Sequence, residues 1–284
     1  MLAVFKRSVA EAPAELMSPQ VEERERKNGV QLMDSFVSAH SGAVCVKLGD
    51  AGAMAYDQNH HPFLTPRQAL FSFTSEDIVL RSMFFYVKYL GFSYFPLVCR
   101  VFAVVEDIFC VFEGALDNIV TLRQQYGLSK CVNANEVTIV IEAYRTLKDR
   151  GPYPADQVVR DLSGKFAFLL FDSKFQTLFT AADADGSMPF FWGTTADGCL
   201  VLSDEVGLVK EGCRKSFAPF PRGCFFSTPG GLQSFEHPRN KLMPLPRIDS
   251  EGQMCGANFK VDEFTKKGSA IPRVGSEANW ANKF

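Results

Sequence analysis

No two of the eight cysteines in this 284-residue chain stand in a C-x-x-C arrangement. The usual spacing of a zinc site is therefore missing. Histidine is scarce as well, with four in all, and two of those are the neighbours His60 and His61. Adjacent residues on an extended segment point to opposite sides, so this pair reads as a surface loop and no metal or cofactor is expected. Neither sign of charge dominates, because 30 basic residues face 32 acidic ones for a net charge of −2. That balance removes the electrostatic case for a nucleic-acid partner. An uninterrupted apolar run long enough for a membrane is also lacking. The nearest approach is Gln68 to Arg100, whose helical signal starts at Ser75, Glu76 and Asp77 and runs through SMFFYVKYL. Arg81, Lys88, Gly91 and Pro96 break it, so no transmembrane span is expected. A buried or partner-covered helix and an interfacial membrane helix both fit it. Met1 to Phe5 is too short an apolar run for a signal peptide. The cysteines accordingly read as reduced thiols of a protein in the cytoplasm, or also the nucleus.

What the chain does have is core. Hydrophobic residues make up 46% of it and charged residues 22%, which is ordinary for a soluble globular protein. The richest stretch is Lys165 to Gly193, where two near-continuous apolar runs, Phe166 to Phe171 and Gln176 to Ala182, flank a polar turn at Asp172, Ser173 and Lys174. A third strand, Pro189 to Trp192, follows the acidic turn at Asp183, Asp185 and Gly186. Such runs suit strands covered on both faces. MLAVF opens the chain as a strand. Ser18 and Pro19 start a helix to about Lys27, Gly29 interrupts it, and a turn or two continues from Val30 to Val37. Ala43 to Leu48 and Ala53 to Tyr56 form a hairpin through Gly49, Asp50 and Gly52. Val101 to Val105 and Ile108 to Phe112 are strands, with Cys110 as a small core residue. A helix from Asp117 or Asn118 to Tyr126 comes next. Asn133 and Glu136 then make a capping box for a helix over Ala134 to Lys148. Short strands around a helical middle fit a sheet and helix sandwich better than an alternating parallel fold.

Two short motifs invite over-reading. GGLQS, Gly230 to Ser234, is similar to a pyrophosphatase phosphate loop, but too little chain follows it, and a hairpin turn is the better reading. ADADG resembles part of a calcium loop, yet Ala181 and Trp192 stand where carboxylates are required.

The series FAFLLFD, ADADGSMPFFWG, DGCLVLSDE and FAPFPRGCFF resembles the second half of the class II glutamine amidotransferase domain, the N-terminal half of asparagine synthetase. The resemblance is closer still to the plant aluminium-induced, auxin-repressed or stem-specific proteins with YGL and LRDR signatures. Here these are Tyr126, Gly127 and Leu128, and Leu147, Lys148, Asp149 and Arg150, with Lys148 in place of Arg. VFAVVEDIFCVFEGALDN, EVTIVIEAYRTLKDRGPYPADQVV and CGANFKV extend the match over nearly the whole chain. The resemblance implies an α+β, Ntn-hydrolase-like αββα sandwich of two antiparallel sheets between helical layers. It implies one domain over 1–247 and a C-terminal extension over 248–284. Gln68 to Arg100 breaks the match, either as an insertion or as non-coding sequence translated in error.

The chemistry that the resemblance implies meets substitutions at each step. The family nucleophile is a cysteine directly after Met1, whose own amine serves as base. That position is Leu2, which has no nucleophilic atom. Loss of a catalytic nucleophile costs on the order of a millionfold in turnover in a serine protease. The Asn-Gly pair that holds the oxyanion becomes Glu113 and Gly114, and a carboxylate would repel the charge that a neutral donor stabilises. The aspartate that grips the substrate amine falls near Ala134 and Asn135. These five residues make a vestigial pocket in a pseudoenzyme, stress-, hormone- or aluminium-responsive, that acts by self-assembly or binding. Two alternatives stand beside it: a sensor of a small amide or amino acid in that pocket, and an amidohydrolase using another nucleophile such as Cys110 or Glu113. Twenty-seven phenylalanines suggest a homo-oligomer.

Overall fold

The computed structural model describes residues 1–18, 26–57, 99–128, 135–149, 156–237, 239, 241–248, 252 and 254–262. One six-stranded antiparallel sheet has the order β10-β8-β9-β1-β3-β2, and a second has the order β12-β11-β7-β6-β5-β4. In the first lie β1 (Leu2–Phe5), β2 (Ala43–Lys47), β3 (Gly52–Asp57), β8 (Phe191–Thr194), β9 (Leu200–Ser203) and β10 (Phe217–Pro219). The second holds β4 (Cys99–Val105), β5 (Ile108–Leu116), β6 (Gly164–Asp172), β7 (Thr177–Ala182), β11 (Cys224–Ser227) and β12 (Gly231–Ser234).

Strict alternation sorts the side chains into three cores. Met1, Ala3, Phe5, Leu200 and Leu202 of the first sheet meet Phe109, Val111, Leu169 and Phe171 of the second between the sheets. Trp192 anchors that layer, edge-on to Phe220, Phe226 and Phe259 at 5.2, 6.3 and 5.6 Å. Residues of opposite parity, among them Cys110, Phe112, Phe166, Phe168 and Phe179, pack against α2 (Ile119–Gln125), α3 (Glu136–Asp149) and α4 (Asp156–Asp161). Leu2, Val4 and Val201 pack against α1 (Gly29–Ala39) and α5 (Val206–Cys213) on the far side. The result is helices, sheet, sheet, helices, the αββα sandwich that the sequence resemblance implies. The two runs of Lys165 to Gly193 are β6 and β7 at the centre of the second sheet, apolar on both faces because one faces its partner sheet and the other faces helices.

Several expectations need correction. Gly29 opens α1 instead of interrupting a helix. Asn28 caps it: its side chain accepts from the Gln31 N–H at 2.8 Å, while Gln31 accepts from the Asn28 N–H at 3.1 Å. A glycine is needed there because a Cβ would meet Val4 Cγ1 at 2.7 Å, so Gly29 lets α1 settle onto β1. Helix α3 begins at Glu136, two residues later than expected, because Asn135 supplies the cap and accepts from the Thr138 N–H at 3.1 Å. The GGLQS segment contributes more than a turn, since Gly231 to Ser234 form β12 beside β11. Beyond these, α5, β10 and a separate hairpin of β13 (Leu242–Ile248) and β14 (Met254–Val261) were not foreseen. That hairpin has residues on both sides of the expected boundary between 247 and 248.

The expected helix after Ser18, the pair His60 and His61, and the tail from Val274 lie outside the described residues, as does nearly all of Gln68 to Arg100. Its last two residues, Cys99 and Arg100, open β4 in register with Gly114 and Glu113. Among the described residues no helix is long and apolar enough to cross a membrane, and no three metal-ligating side chains gather.

Candidate functional site

Leu2 lies on an interior strand of the first sheet and turns its side chain toward the α1 and α5 layer, where it is 1% exposed. Its surroundings include Leu32, Met33, Phe36, Ala55 and Val201. The nitrogen of Leu2 is a peptide nitrogen. The α-amino group belongs to Met1 and donates to the Asp204 carboxylate at 2.5 Å, while the Met1 carbonyl accepts from the Ser203 hydroxyl at 2.7 Å. Both Met1 and Asp204 are buried in this pairing.

Glu113 and Gly114 sit on β5 of the other sheet. Glu113 is 4% exposed, shares the parity of Phe109 and Val111, and stands opposite Ala167, which puts it on the inter-sheet face. Leu2 and Glu113 therefore point away from a common space, the first outward through its sheet and the second inward. Gly114 has a φ of +121°, and a Cβ there would lie 2.0 Å from the Lys165 carbonyl oxygen. Ala134 lies outside the described residues. Asn135 is occupied as a helix cap, its side-chain oxygen accepting from both the N–H and the hydroxyl of Thr138.

Cys110 is fully buried on the helical side of β5, and burial pushes its thiol far above the ordinary range. Cys199 behaves similarly: burial first, then the hydrogen bond to Asp197, raise it to about 11. The carboxylate of Asp197 also accepts from the Gly29 N–H at 3.2 Å and from Thr195 Oγ1 at 2.5 Å. This trio ties the start of α1 to the loop before β9. In the ADADG turn, Asp183 is a structural clamp that accepts from the N–H groups of Phe166 and Ser187, both at 3.0 Å.

The two signatures have identifiable work. In YGL the N–H of Leu128 bonds the Arg123 carbonyl at 2.7 Å and the N–H of Gly127 bonds that of Gln124 at 3.3 Å. With Gly127 at φ +72°, this is a Schellman stop for α2. Tyr126 then donates its hydroxyl to the Asp161 carboxylate at 2.7 Å, fastening α2 to the end of α4. In the LKDR segment, Lys148 pairs with Asp172 at the end of β6 and lies 3.6 Å from the centre of the Phe175 ring. Sequence reasoning identified these residues as markers but not as joints, because the partners Asp161 and Asp172 are 35 and 24 residues away along the chain. Beside Lys148 opens a pocket of about 370 Å³, walled by Tyr144, Phe175 and Phe179 and edged by Thr177 and Ser227.

Two stacked antiparallel sheets between helical layers, with the first strand inside one sheet, make an Ntn-hydrolase-like fold. The chain belongs to the aluminium-induced protein family, whose profile matches residues 2–84 and 82–261. It is 37% identical over 183 residues to the stem-specific protein TSJT1 of Nicotiana tabacum, covering 64% of this chain and 99% of that protein. Similarity extends to a glutamine-hydrolysing asparagine synthetase of Oryza sativa subsp. japonica, 25% identical over 134 residues, which are 47% of this chain but 21% of the synthetase. This chain thus spans about a fifth of the length of that enzyme. Among solved structures, the glutamine phosphoribosylpyrophosphate amidotransferase of B. subtilis aligns with a TM-score of 0.36 at 18% identity, over 53% of this chain and 34% of that one.

Proposed function

We propose that this protein is a non-catalytic amidotransferase-like scaffold that acts by self-assembly or binding. The observation that carries the reading is Leu2: the position corresponding to the family nucleophile holds a hydrocarbon side chain, 1% exposed inside an apolar cluster. Further support comes from Glu113, whose carboxylate is ill-suited to hold an oxyanion, and from Asn135, whose side chain already caps α3. Cys110 offers no substitute nucleophile, since the thiolate is the reactive form and burial disfavours it. Purified full-length protein should release no glutamate from glutamine above the protein-free rate. Turnover that falls on substitution of Glu113 or Cys110 would overturn the proposal. For the assembly arm, light scattering should give a mass above that of one chain, and a monomer would leave binding alone.

A further inference from the structure

We propose that the pocket beside Lys148 binds a small aromatic carboxylate. It lies on the helical side of the second sheet, between the end of α3, the β6–β7 turn and the end of β11. Glu113 faces the opposite side of that sheet, so this site is separate from the corresponding amidotransferase position and its fate does not depend on the reading above.

The volume of about 370 Å³ suits a ligand of one or two rings. The walls suit a flat one. Tyr144 stacks on Phe179 with ring centres 5.8 Å apart, and Phe175 forms the opposite rim. Phe175 is 57% exposed, which is unusual for a phenylalanine whose backbone is held in place, here by its N–H donating to Asp172 at 3.2 Å. A bound ring would cover it.

The polar edge selects the charge of the ligand. An ammonium has three N–H donors. One from Lys148 goes to Asp172 and the Phe175 ring engages the charge from another side, which leaves donor capacity facing the pocket. Ser227 Oγ accepts from the Gly230 N–H at 3.2 Å and keeps its own hydrogen to donate. Thr177 gives its hydrogen to the Phe175 carbonyl at 3.2 Å. The acidic group nearby, Asp172, is 1% exposed and is used by Lys148 and the Phe175 N–H, so it has no open face for a cation. Burial, followed by the charge of Asp172, raises the Tyr144 phenol far above its ordinary range, so this wall carries no anion. A site offering donors and aromatic faces recognises an acceptor on a planar apolar body, and a carboxylate makes the strongest such contact with an ammonium.

The test is isothermal titration of the full chain with 2-naphthoate, its neutral amide 2-naphthamide, and 2-naphthylmethylammonium. Saturable binding of the acid at about millimolar concentration is expected. The amide should bind about tenfold more weakly and the ammonium not at all. Because Lys148→Met also removes the partner of Asp172, two changes on the solvent side keep the test decisive. Phe175→Ala should weaken the acid several-fold and Thr177→Trp should block it, each with an unchanged circular dichroism spectrum, while Lys148→Arg should retain binding. Absence of saturable binding by the acid would overturn the proposal. So would equal binding of all three compounds, or acid binding that is indifferent to both Phe175→Ala and Thr177→Trp.

Discussion

Replacing Lys148 by Met isolates the joint between α3 and the central hairpin. Asp172 has a side chain 1% exposed, whereas that of Lys148 is 23% exposed, so the change leaves a carboxylate in the interior with little but the Phe175 N–H to hold it. Removing one member of a buried pair costs about 3–5 kcal/mol. The partial exposure of Lys148 places this case at the low end, and loss of the contact with Phe175 adds about 0.5–1 kcal/mol. We therefore expect Lys148→Met to cost about 3–4 kcal/mol, a large fraction of the 5–15 kcal/mol that stabilises a typical protein. Lys148→Arg keeps the charge and should cost about 1 kcal/mol or less, with a planar fork that can engage both carboxylate oxygens. Asp172→Asn removes the buried charge, and in the Lys148→Met/Asp172→Asn double variant much of the loss should be recovered, giving a coupling of about 2 kcal/mol. Urea unfolding followed by circular dichroism, with all variants sharing one m-value, measures the four corners of this cycle. A Lys148→Met cost below about 1 kcal/mol would refute the reasoning, because it would rank the contact with ordinary exposed ion pairs.

The YGL signature gives a second expectation: Gly127→Ala, at φ +72°, should cost about 1 kcal/mol by the same unfolding measurement. Tyr126→Phe should cost about 1 kcal/mol or more by leaving Asp161 one donor short. The thiols give a third. Burial raises Cys199 to about 11 and Cys213 to about 12, and holds Cys110 and Cys224 high as well. Of Cys45, Cys110, Cys199, Cys213, Cys224 and Cys255, only exposed Cys45, whose thiol burial also raises, should be alkylated by iodoacetamide at pH 8, as read by mass spectrometry of peptides. Because the folded state binds these protons more tightly than the unfolded chain, stability should fall as pH rises from about 9 toward 11–12. Stability unchanged over that interval would contradict the burial of these groups.

How much of this could be read in the sequence depended on whether the signal was local. Strands β6 and β7 were legible because uninterrupted apolar runs bounded by turns have few other fates, and the placing of their sheet between two covering layers follows from both of their faces being apolar. Strand β13 was hidden for the opposite reason. Pro244 and Pro246 remove two N–H donors, and Met243, Leu245 and Ile248 remain exposed, so neither propensity nor alternation marks it; pairing with β14 alone creates it. Helix α5 is eight residues long with no side-chain cap, and packing rather than a start signal sustains it. Gly29 misled because a glycine in a helical pattern usually weakens it, whereas this one permits the contact with Val4. For the candidate site, residue types were legible and directions were not. Leucine at position 2 supplies no nucleophilic atom there, but only the parity of β1 shows its side chain turned into the α1 and α5 layer.

Gly114 shows that backbone geometry alone can fix a glycine in this scaffold. The close approach of β5 and β6 requires Gly114 on backbone grounds. Any Cβ would sit 2.0 Å from the Lys165 oxygen, whatever chemistry takes place nearby. The clash that fixes Gly114 is a backbone one, and it does not dictate which side chain stands at the buried neighbouring position, Glu113. The same separation holds across the molecule. Tyr126, Gly127 and Lys148 secure α2, α3 and α4 through Asp161 and Asp172, so both signatures describe the joints of the outer layer on the second sheet. Leu2, by contrast, belongs to the layer on the opposite side of the sandwich. Selection on the signature residues would act through that outer layer and the surface it presents, which includes the pocket beside Lys148.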